Sequence, residues 1–418
     1  MTLSMQSDRR LVRAAGGSER HVLLTITAPD GDPDHVRDPI NIAFVLDRSG
    51  SMEGGKFDLA RRAVEHALKL LREQDHFSVV VYDDEIDVLT PSTRATARAR
   101  DEAVRQLARV GPRGTTDLST GWLRGGEQVA ETLQPEQPAR VLLLTDGLAN
   151  RGIVDHERLV SLAAELRARG IATTTFGVGA DFDERLLRAM AQAGRGNYYY
   201  IDDAEAIPGY FTSELDEQLE IVARDALLTL RLPAGVRPRL LHQFPVTPQD
   251  DSLLIALGDL TARQEIELVV RLTFPKGAVG DEVAVTAELS DRDGERERTT
   301  LAWTFESRAR NDSQPRNREV DRAVARVYAA LAREQATELN RAGRFSDARH
   351  WLRRTARRIR EYAQGDPVLE ALIRELMALA EELSVEQDAV SLKEMHYLAA
   401  THLTSREPRG MARRRPQL

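Results

Sequence analysis

The 418-residue chain contains no cysteine. This absence excludes a disulfide scaffold, a thiolate metal site and a cysteine nucleophile. Long apolar runs are missing as well: the best ones, "IAFVL" and "VLLL", are only as long as a strand and cannot span a membrane. The opening residues, "MTLSMQSDRRLVRAAGG", lack the apolar core of a signal peptide. We therefore expect a cytoplasmic protein without membrane insertion.

The chain also lacks an excess of basic residues. Its formal net charge is -8, with 30% charged and 42% hydrophobic residues. A protein whose main partner is nucleic acid needs a clustered basic surface, so this balance argues against nucleic acid. No Gly-x-Ser-x-Gly elbow is present, which leaves a serine hydrolase with little support.

The region from residue 39 to 224 alternates between strands and helices. Strand-sized apolar runs occur at "INIAFVL", "FSVVVY", "RVLLLT" and "ATTTFGV", and most are separated by segments of helical period such as "FDLARRAVEHALKLLRE". This alternation predicts an α/β domain with a doubly wound, mostly parallel sheet covered by helices on both faces. The exception is "FSVVVYDDEIDVL", where a short acidic turn must join two antiparallel strands.

The flanks of this region have a different pattern. Residues 1–38 and 225–305 contain short alternating strands separated by turn residues, which is typical of an antiparallel β-sandwich. Because both flanks share the pattern, we expect one sandwich into which the α/β domain is inserted. Residues 306–319 are predicted to be a polar linker, residues 320–405 a helical bundle, and residues 406–418 a basic, disordered tail.

The segment "LDRSGSMEGGKF", residues 46–57, has two interpretations. From Gly50 to Lys56 it spells Gly-x-x-x-x-Gly-Lys, the phosphate-binding loop of nucleotide hydrolases, where a Ser or Thr after the lysine binds magnesium. Phe57 stands at that position and has no oxygen, so we expect its ring to pack the following helix against the sheet. A degenerate nucleotide hydrolase, or a metal-assisted phosphatase, is therefore the alternative function.

The second interpretation is a cation site. From Asp47 the segment spells Asp-x-Ser-x-Ser, so Asp47, Ser49 and Ser51 offer a carboxylate and two hydroxyls at the carboxyl edge of the sheet. Ligands bind at that edge in open α/β sheets. Thr116 in "RGTTDL" and Asp146 in "LLLTDG" are expected to reach the same place. Such hard oxygen donors suit magnesium or manganese more than zinc.

Together these five residues resemble the metal-ion-dependent adhesion site of von Willebrand factor type A (VWA) domains. The resemblance covers residues 39–224, in an order similar to bacterial members that resemble calcium-activated chloride channel and inter-alpha-trypsin-inhibitor heavy-chain proteins. It implies a Rossmann-like VWA fold and a bound Mg2+, with Mn2+ or Ca2+ as alternatives. In the family, Ser49 and Ser51 would bind the cation directly, as would Thr116 in at least one state. Asp47 and Asp146 would act directly or through water.

The resemblance implies metal-dependent protein binding and not catalysis. Neutral hydroxyls and few direct carboxylates leave much of the cation's charge uncompensated, so the missing ligand is naturally an Asp or Glu of another protein. We therefore expect a non-enzymatic interaction module or scaffold in an intracellular assembly. Similar domains are found beside AAA+ ATPases, kinases and membrane proteins, and the sequence does not choose among these partners.

Overall fold

The computed structural model describes residues 1–31, 38–135 and 137–415. These residues form two compact units. One unit joins residues 1–31 to residues 220–415, and the other comprises residues 38–219.

The described residues form sixteen β-strands and eleven α-helices. The strands are β1 (Thr2–Ser7), β2 (Leu11–Arg13), β3 (Glu19–Thr27), β4 (Asn41–Asp47), β5 (His76–Tyr82), β6 (Ile86–Arg94), β7 (Ala139–Thr145), β8 (Ile171–Val178), β9 (Arg195–Ile201), β10 (Ile221–Arg231), β11 (Arg237–Leu240), β12 (Val246–Pro248), β13 (Ser252–Thr261), β14 (Glu265–Thr273), β15 (Glu282–Asp291) and β16 (Gly294–Glu306). The helices are α1 (Lys56–Leu70), α2 (Ala97–Leu107), α3 (Leu118–Glu131), α4 (His156–Ala168), α5 (Glu184–Ala193), α6 (Ile207–Leu219), α7 (Arg308–Ser313), α8 (Arg318–Arg341), α9 (Phe345–Ala363), α10 (Pro367–Glu382) and α11 (Ala389–Leu403).

The α/β unit is built on a six-stranded sheet in the order β6-β5-β4-β7-β8-β9, and its neighbouring strands are parallel except for β5 with β6. Every residue of β4, β7 and β8 is buried, as expected for strands covered on both faces. The predicted fold class is thus confirmed. Because β4 has β5 on one side and the later β7 on the other, the winding of the chain reverses at β4. The carboxyl end of such a strand borders the crevice where open α/β sheets bind ligands.

The β-sandwich consists of one sheet in the order β1-β3-β14-β11 and a second in the order β12-β13-β10-β15-β16-β2. β3 pairs antiparallel with β14, where Val22 lies opposite Val270, and β2 pairs parallel with β16. Leu24 and Trp303 belong to the core cluster of this sandwich. Strands from before and after the α/β unit share sheets, so the α/β unit is inserted in the sandwich as the flanking patterns predicted. Residues 32–37 of the predicted N-terminal portion lie outside the described residues.

Helices α8 to α11 form the C-terminal helical region. Leu352, Ile373 and Leu392, from α9, α10 and α11, share one buried cluster with alanines of α8. α8 also packs on the sandwich, because Val324 lies in an apolar cluster with Leu23 of β3. The helical region and the sandwich therefore belong to one unit. None of the described helices is both long enough and apolar enough to cross a membrane.

The boundary after the α/β unit lies earlier than predicted. α6 ends at Leu219 and β10 begins at Ile221, so the change of unit falls near Leu219 instead of after residue 224. The register of β10 against β13 shifts repeatedly between Ile221 and Leu227. These irregularities break the strict alternation from which a strand is predicted, which is why its start was placed too late.

The segment predicted to be a linker, residues 306–319, is partly helical. Ser307 caps α7 by accepting a hydrogen bond from the Arg310 backbone N–H. Asn311 is buried and its side-chain oxygen accepts a hydrogen bond from Arg20 of β3. The segment has no helical period because polar contacts, and not an apolar stripe, attach it to the sandwich.

The prediction of a disordered tail was wrong for residues 406–415. The backbone carbonyl of Arg413 accepts a hydrogen bond from the Glu265 backbone N–H at 2.8 Å. Arg413 Nη1 also lies 2.8 Å from Glu267 Oε2. The basic residues that suggested a solvated terminus therefore pair with acidic residues of β14, which holds this C-terminal segment on the sandwich. Residues 416–418 of the predicted tail lie outside the described residues.

Candidate metal site

The predicted site residues lie at the carboxyl edge of the α/β sheet. Asp47 is the last residue of β4, and Thr145 is the last residue of β7, with Asp146 directly after it. β4 and β7 are parallel neighbours, so their carboxyl ends lie side by side. Two adjacent strand ends thereby bring the two carboxylates together.

Helix α3 closely approaches this sheet because two of its glycines face the strands. A Cβ on Gly121 would lie 2.4 Å from Tyr82 Cγ, and a Cβ on Gly125 would lie 2.3 Å from Val45 Cγ2. Any side chain at these positions would force the helix away from the sheet. The close packing brings the loop before α3, which contains Thr116, toward the sheet edge.

The oxygen atoms of the predicted motif form a connected cluster. Ser49 Oγ and Ser51 Oγ are 3.0 Å apart, and Ser51 Oγ donates a hydrogen bond to Asp146 Oδ1 at 2.5 Å. Asp47 Oδ1 accepts a hydrogen bond from the Ser49 backbone N–H at 2.8 Å. The strand ends and the loop after β4 therefore present their side-chain oxygens to one point.

Thr116 joins this cluster from its separate loop. A Cβ built on Gly147 would lie 3.2 Å from Thr116 Oγ1 and 3.6 Å from Ser51 Oγ, so both hydroxyls border the same glycine. Asn150 fixes the loop, because its side chain accepts a hydrogen bond from the Thr116 N–H at 3.2 Å while its own N–H donates to the Thr116 carbonyl at 3.4 Å. The structure thus brings together all five residues predicted from the sequence. Sequence reasoning missed Asn150, which matches no motif position.

Asp47 lies in an environment that disfavours its charge. Its side chain is fully buried, and Thr145 Oγ1 donates a hydrogen bond to Asp47 Oδ2 at 2.6 Å. Burial raises the pKa of Asp47 to about 6; the hydrogen bonds from Thr145 and Ser49 oppose this rise, and repulsion by Asp146 adds to it. A cation beside the two carboxylates would favour their ionised forms. Thr145 was missed in the sequence, although a hydroxyl directly before Asp146 is a readable signal.

Ion pairs around the buried Asp83 connect the loop after β4 to the loop that carries Thr116. Asp83 is fully buried, with Arg48 Nε at 3.1 Å and Arg113 Nε at 2.7 Å from its Oδ2. Burial raises the pKa of Asp83, but hydrogen bonds from Glu85 and Arg113 and the charge of Arg48 outweigh it and hold the pKa below its usual value. The Arg113 backbone N–H also donates to the Arg48 carbonyl at 2.7 Å. The loop after β4 is therefore tied to the loop that carries Thr116.

A family model described as the von Willebrand factor type A domain matches residues 41–213. Residues 41–213 are a VWA domain. The matched range starts with β4, ends within α6 and contains all five clustered residues. VWA domains are protein-interaction modules that often carry a metal-ion-dependent adhesion site.

Relatives of the VWA domain occur in bacteria and animals. The chain is 30% identical over 245 residues to the uncharacterized protein YfbK of Escherichia coli, covering 56% of this chain and 42% of that protein. It is 25% identical over 287 residues to the uncharacterized protein sll0103 of Synechocystis, covering 66% of this chain and 67% of that protein. Inter-alpha-trypsin inhibitor heavy chain H2 of Homo sapiens is 28% identical over 176 residues, covering 39% of this chain and 18% of that protein. The predicted likeness to bacterial VWA proteins and to these heavy chains is confirmed.

Two solved structures share the fold over most of the chain. The von Willebrand factor type A protein from Catenulispora acidiphila has a TM-score of 0.69 and 20% identity, with 88% of each chain covered. The ArnB paralog VWA2 from Sulfolobus acidocaldarius has a TM-score of 0.59 and 16% identity, with 96% of this chain and 98% of that chain covered. At these identities the similarity establishes the fold only.

Lys56 has a role in the VWA domain that the sequence did not reveal. Its Nζ lies 2.5 Å from Asp146 Oδ2 and 3.2 Å from the Ser51 carbonyl. The phosphate-loop interpretation drew attention to this lysine, but its ammonium contacts the carboxylate cluster. Phe57, the next residue, is buried in the core of the α/β unit as expected. The chain therefore places a positive charge of its own beside the two carboxylates.

The donor set fits a hard divalent cation. The described part of the chain contains no group of three or more His, Asp or Glu side chains placed to hold a metal ion. The VWA site instead offers two carboxylates and three hydroxyls, and oxygen ligands of this kind suit cations of the magnesium class. Lys56 neutralises part of the charge of the two carboxylates. These five side chains would therefore not fully compensate a divalent cation, and its remaining ligands would come from another molecule.

Proposed function

We propose that the VWA domain binds a divalent cation of the magnesium class and, through it, a carboxylate of a partner protein. The cation would be held by Asp47, Ser49, Ser51, Thr116 and Asp146. Mg2+ is the proposed ion, and Mn2+ or Ca2+ are the alternatives. The observation that carries the proposal is the series of side-chain oxygens of Ser49, Ser51 and Asp146, in which consecutive oxygens lie 2.5 to 3.0 Å apart at the sheet edge.

The surroundings of the site support a protein partner. Leu148 follows the Asp146-Gly147 turn and is 54% exposed, and Val154 in the same connection is 52% exposed. Ser51 is also exposed, so the cluster is accessible from solvent. Protein interfaces combine apolar surface with polar groups, and both kinds of surface are present here. An Asp or Glu of the partner would supply the negative charge that three neutral hydroxyls do not.

The proposed role is non-enzymatic binding in an intracellular assembly, and an AAA+ ATPase or a kinase is a candidate partner. The competing function is a nucleotide hydrolase that uses Lys56 on phosphate. Two observations favour binding: Lys56 contacts Asp146, and Phe57 supplies no oxygen for a magnesium ion. A steady ATPase rate in the purified protein that disappears in Lys56→Ala would contradict the proposal.

The proposal is tested with Mn2+ as a paramagnetic probe. Mn2+ bound to the protein should enhance water-proton relaxation, and acetate should lower this enhancement because a carboxylate replaces bound water. Thr116→Ala should weaken Mn2+ or acetate binding by roughly tenfold, since a hydroxyl ligand is lost. Thr115→Ala is the matched control: Thr115 is the exposed neighbour and should have no effect. Equal behaviour of both variants, or no relaxation change with Mn2+, would refute the proposed site.

Once a partner protein is identified, the role of the cation in its binding can be tested directly. Its binding should be lost when EDTA removes divalent cations and should return with Mg2+. Replacing its critical Asp or Glu by Asn or Gln should have the same effect as EDTA. Binding that is insensitive to both changes would place the interface elsewhere.

A further inference from the structure

A second polar site lies in the unit formed by the sandwich and the helices. A cavity of about 50 Å³ lies between β14, α8 and the segment that follows α11. We call it the arginine pocket, and its polar lining comprises Arg326, Arg406, Arg413, Glu267, His242, His402 and Ser405. It is separate from the proposed cation site, which belongs to the other unit.

The charge of the arginine pocket is positive. Its lining holds three arginines, and the carboxylates paired with Arg326 and Arg413 are Glu267 and Glu265, so these groups have a net charge of +1 with neutral histidines. Arg326 Nη2 is 3.3 Å and Arg413 Nη1 is 2.8 Å from the same oxygen, Glu267 Oε2. Two carboxylates do not neutralise three guanidinium groups, so positive charge remains beside a small volume.

The pocket also contains neutral donors without acceptors. Ser405 has a left-handed backbone (φ 56°) and is nearly fully buried. Its Oγ accepts a hydrogen bond from the Glu267 backbone N–H at 2.9 Å, and no described residue accepts a hydrogen bond from its hydroxyl. His242 is 9% exposed, and the Leu403 carbonyl is the one described acceptor beside its ring, which leaves at least one ring nitrogen without a partner among the described residues. Buried polar groups are normally satisfied, so two such groups in one cavity indicate a ligand.

The ion pairs alone do not explain this arrangement. They attach the C-terminal segment to β14, as described above, but attachment requires neither a cavity nor a buried histidine with an unused ring nitrogen. Burial lowers the pKa of His242 to about 4, and a hydrogen bond to the Leu403 carbonyl and the charge of Glu267 only partly oppose this shift, so the ring is neutral near pH 7. A neutral imidazole offers one N–H donor.

We propose that the arginine pocket binds a small oxyanion of the phosphate class. Arg326 and Arg413 would supply charge-assisted hydrogen bonds, and the Ser405 hydroxyl would supply a neutral donor, with the His242 ring at the wall of the pocket. The volume matches, because 50 Å³ corresponds to roughly three to five water positions and phosphate has five heavy atoms. The proposal does not depend on the cation site.

The test is calorimetric titration of the full chain with inorganic phosphate in a chloride buffer. Arg326→Gln should weaken phosphate binding by about tenfold or more, because a charge-assisted hydrogen bond is lost. Arg322→Gln is the matched control: Arg322 lies one turn earlier on α8 and pairs with Asp366, outside the pocket. EDTA should leave phosphate binding unchanged. Absence of binding, or an equal loss in both variants, would overturn the proposal.

Two further measurements guard against misfolding and identify the ligand's source. The ring resonances of His242 should shift on addition of phosphate in the wild-type protein, a readout that needs no variant. Adenosine monophosphate distinguishes a free ion from a phosphoryl group of a larger molecule. If adenosine monophosphate binds more weakly than inorganic phosphate, the natural ligand is a free ion. If it binds more tightly, the pocket recognises a phosphoryl group of a larger molecule. If the His242 resonances shift with neither ligand, the pocket is not an oxyanion site.

Discussion

The cation site of the VWA domain and the arginine pocket have opposite chemistry. The first gathers acceptors and hydroxyls around two carboxylates, and the second gathers donors around one carboxylate. Each also contains one side chain of the opposite charge: Lys56 contacts Asp146 in the first, and Glu267 contacts two arginines in the second. The comparison shows that each proposed ligand would compete with a counter-ion supplied by the chain, which moderates its affinity.

The two sites also differ in how the chain assembles them. Asp47, Ser49 and Ser51 lie within five residues, whereas the pocket combines residues from His242 to Arg413 on a loop, a strand, two helices and the C-terminal segment. The first arrangement has a fixed spacing that is visible in the sequence. The second exists only after the sandwich and helices have packed.

The largest expected effect concerns the acceptor-rich site. Asp47→Asn should weaken Mg2+ or Mn2+ binding by more than about 100-fold, because the charge of a buried carboxylate in the cluster is removed while its shape is kept. Calorimetric titration measures this change. Asp58→Asn on the exposed face of α1 is the control and should bind normally. If Asp47→Asn binds Mg2+ or Mn2+ as tightly as the wild type, this cluster is not the cation site.

The second effect concerns the donor-rich pocket and pH. The pKa of His242 is about 4 in the folded protein, below its ordinary value of 6.5. The folded state therefore resists protonation, so its stability is full above pH 6.5 and falls as the pH decreases toward 4. The wild-type free energy of unfolding should lose roughly 3 kcal/mol over this window from this residue. In His242→Gln this contribution to the free energy of unfolding should vanish, and urea denaturation at several pH values measures it. If the free energies of unfolding of the wild type and the variant depend on pH in the same way, the argument from the burial of His242 is wrong.

The smallest effect concerns the counter-ion of the cation site. Lys56→Met should tighten divalent-cation binding by about fivefold, corresponding to ~1 kcal/mol for a partly exposed ion pair. The same titration on Lys69→Met, at the other end of α1, should be unchanged. Weaker binding in Lys56→Met would mean that the lysine positions Asp146 instead of competing with the cation.

The sequence predicted those features that have a strong period or a fixed spacing. Fully buried strands such as β4 and β7 appear as continuous apolar runs, and all five cation-site residues matched one pattern. Asn150 was missed because its contacts with Thr116 depend on the meeting of separate loops, and Thr145 was missed because it matches no position of the motif, although its hydroxyl directly precedes Asp146. The ordered C-terminal segment was missed because its residues are held by ion pairs, which leave no periodic trace in the sequence.

The insertion of the VWA domain has a consequence for synthesis on the ribosome. β3 pairs with β14 through Val22 and Val270, which are 248 residues apart in the chain. At about 5–20 residues per second, the partner strand emerges roughly 12 to 50 s after β3. During that interval one edge of β3 has no strand to complete its hydrogen bonds, while the VWA domain can already fold. We expect nascent chains stalled before β14 to aggregate through this open edge, and chains stalled after it to be soluble.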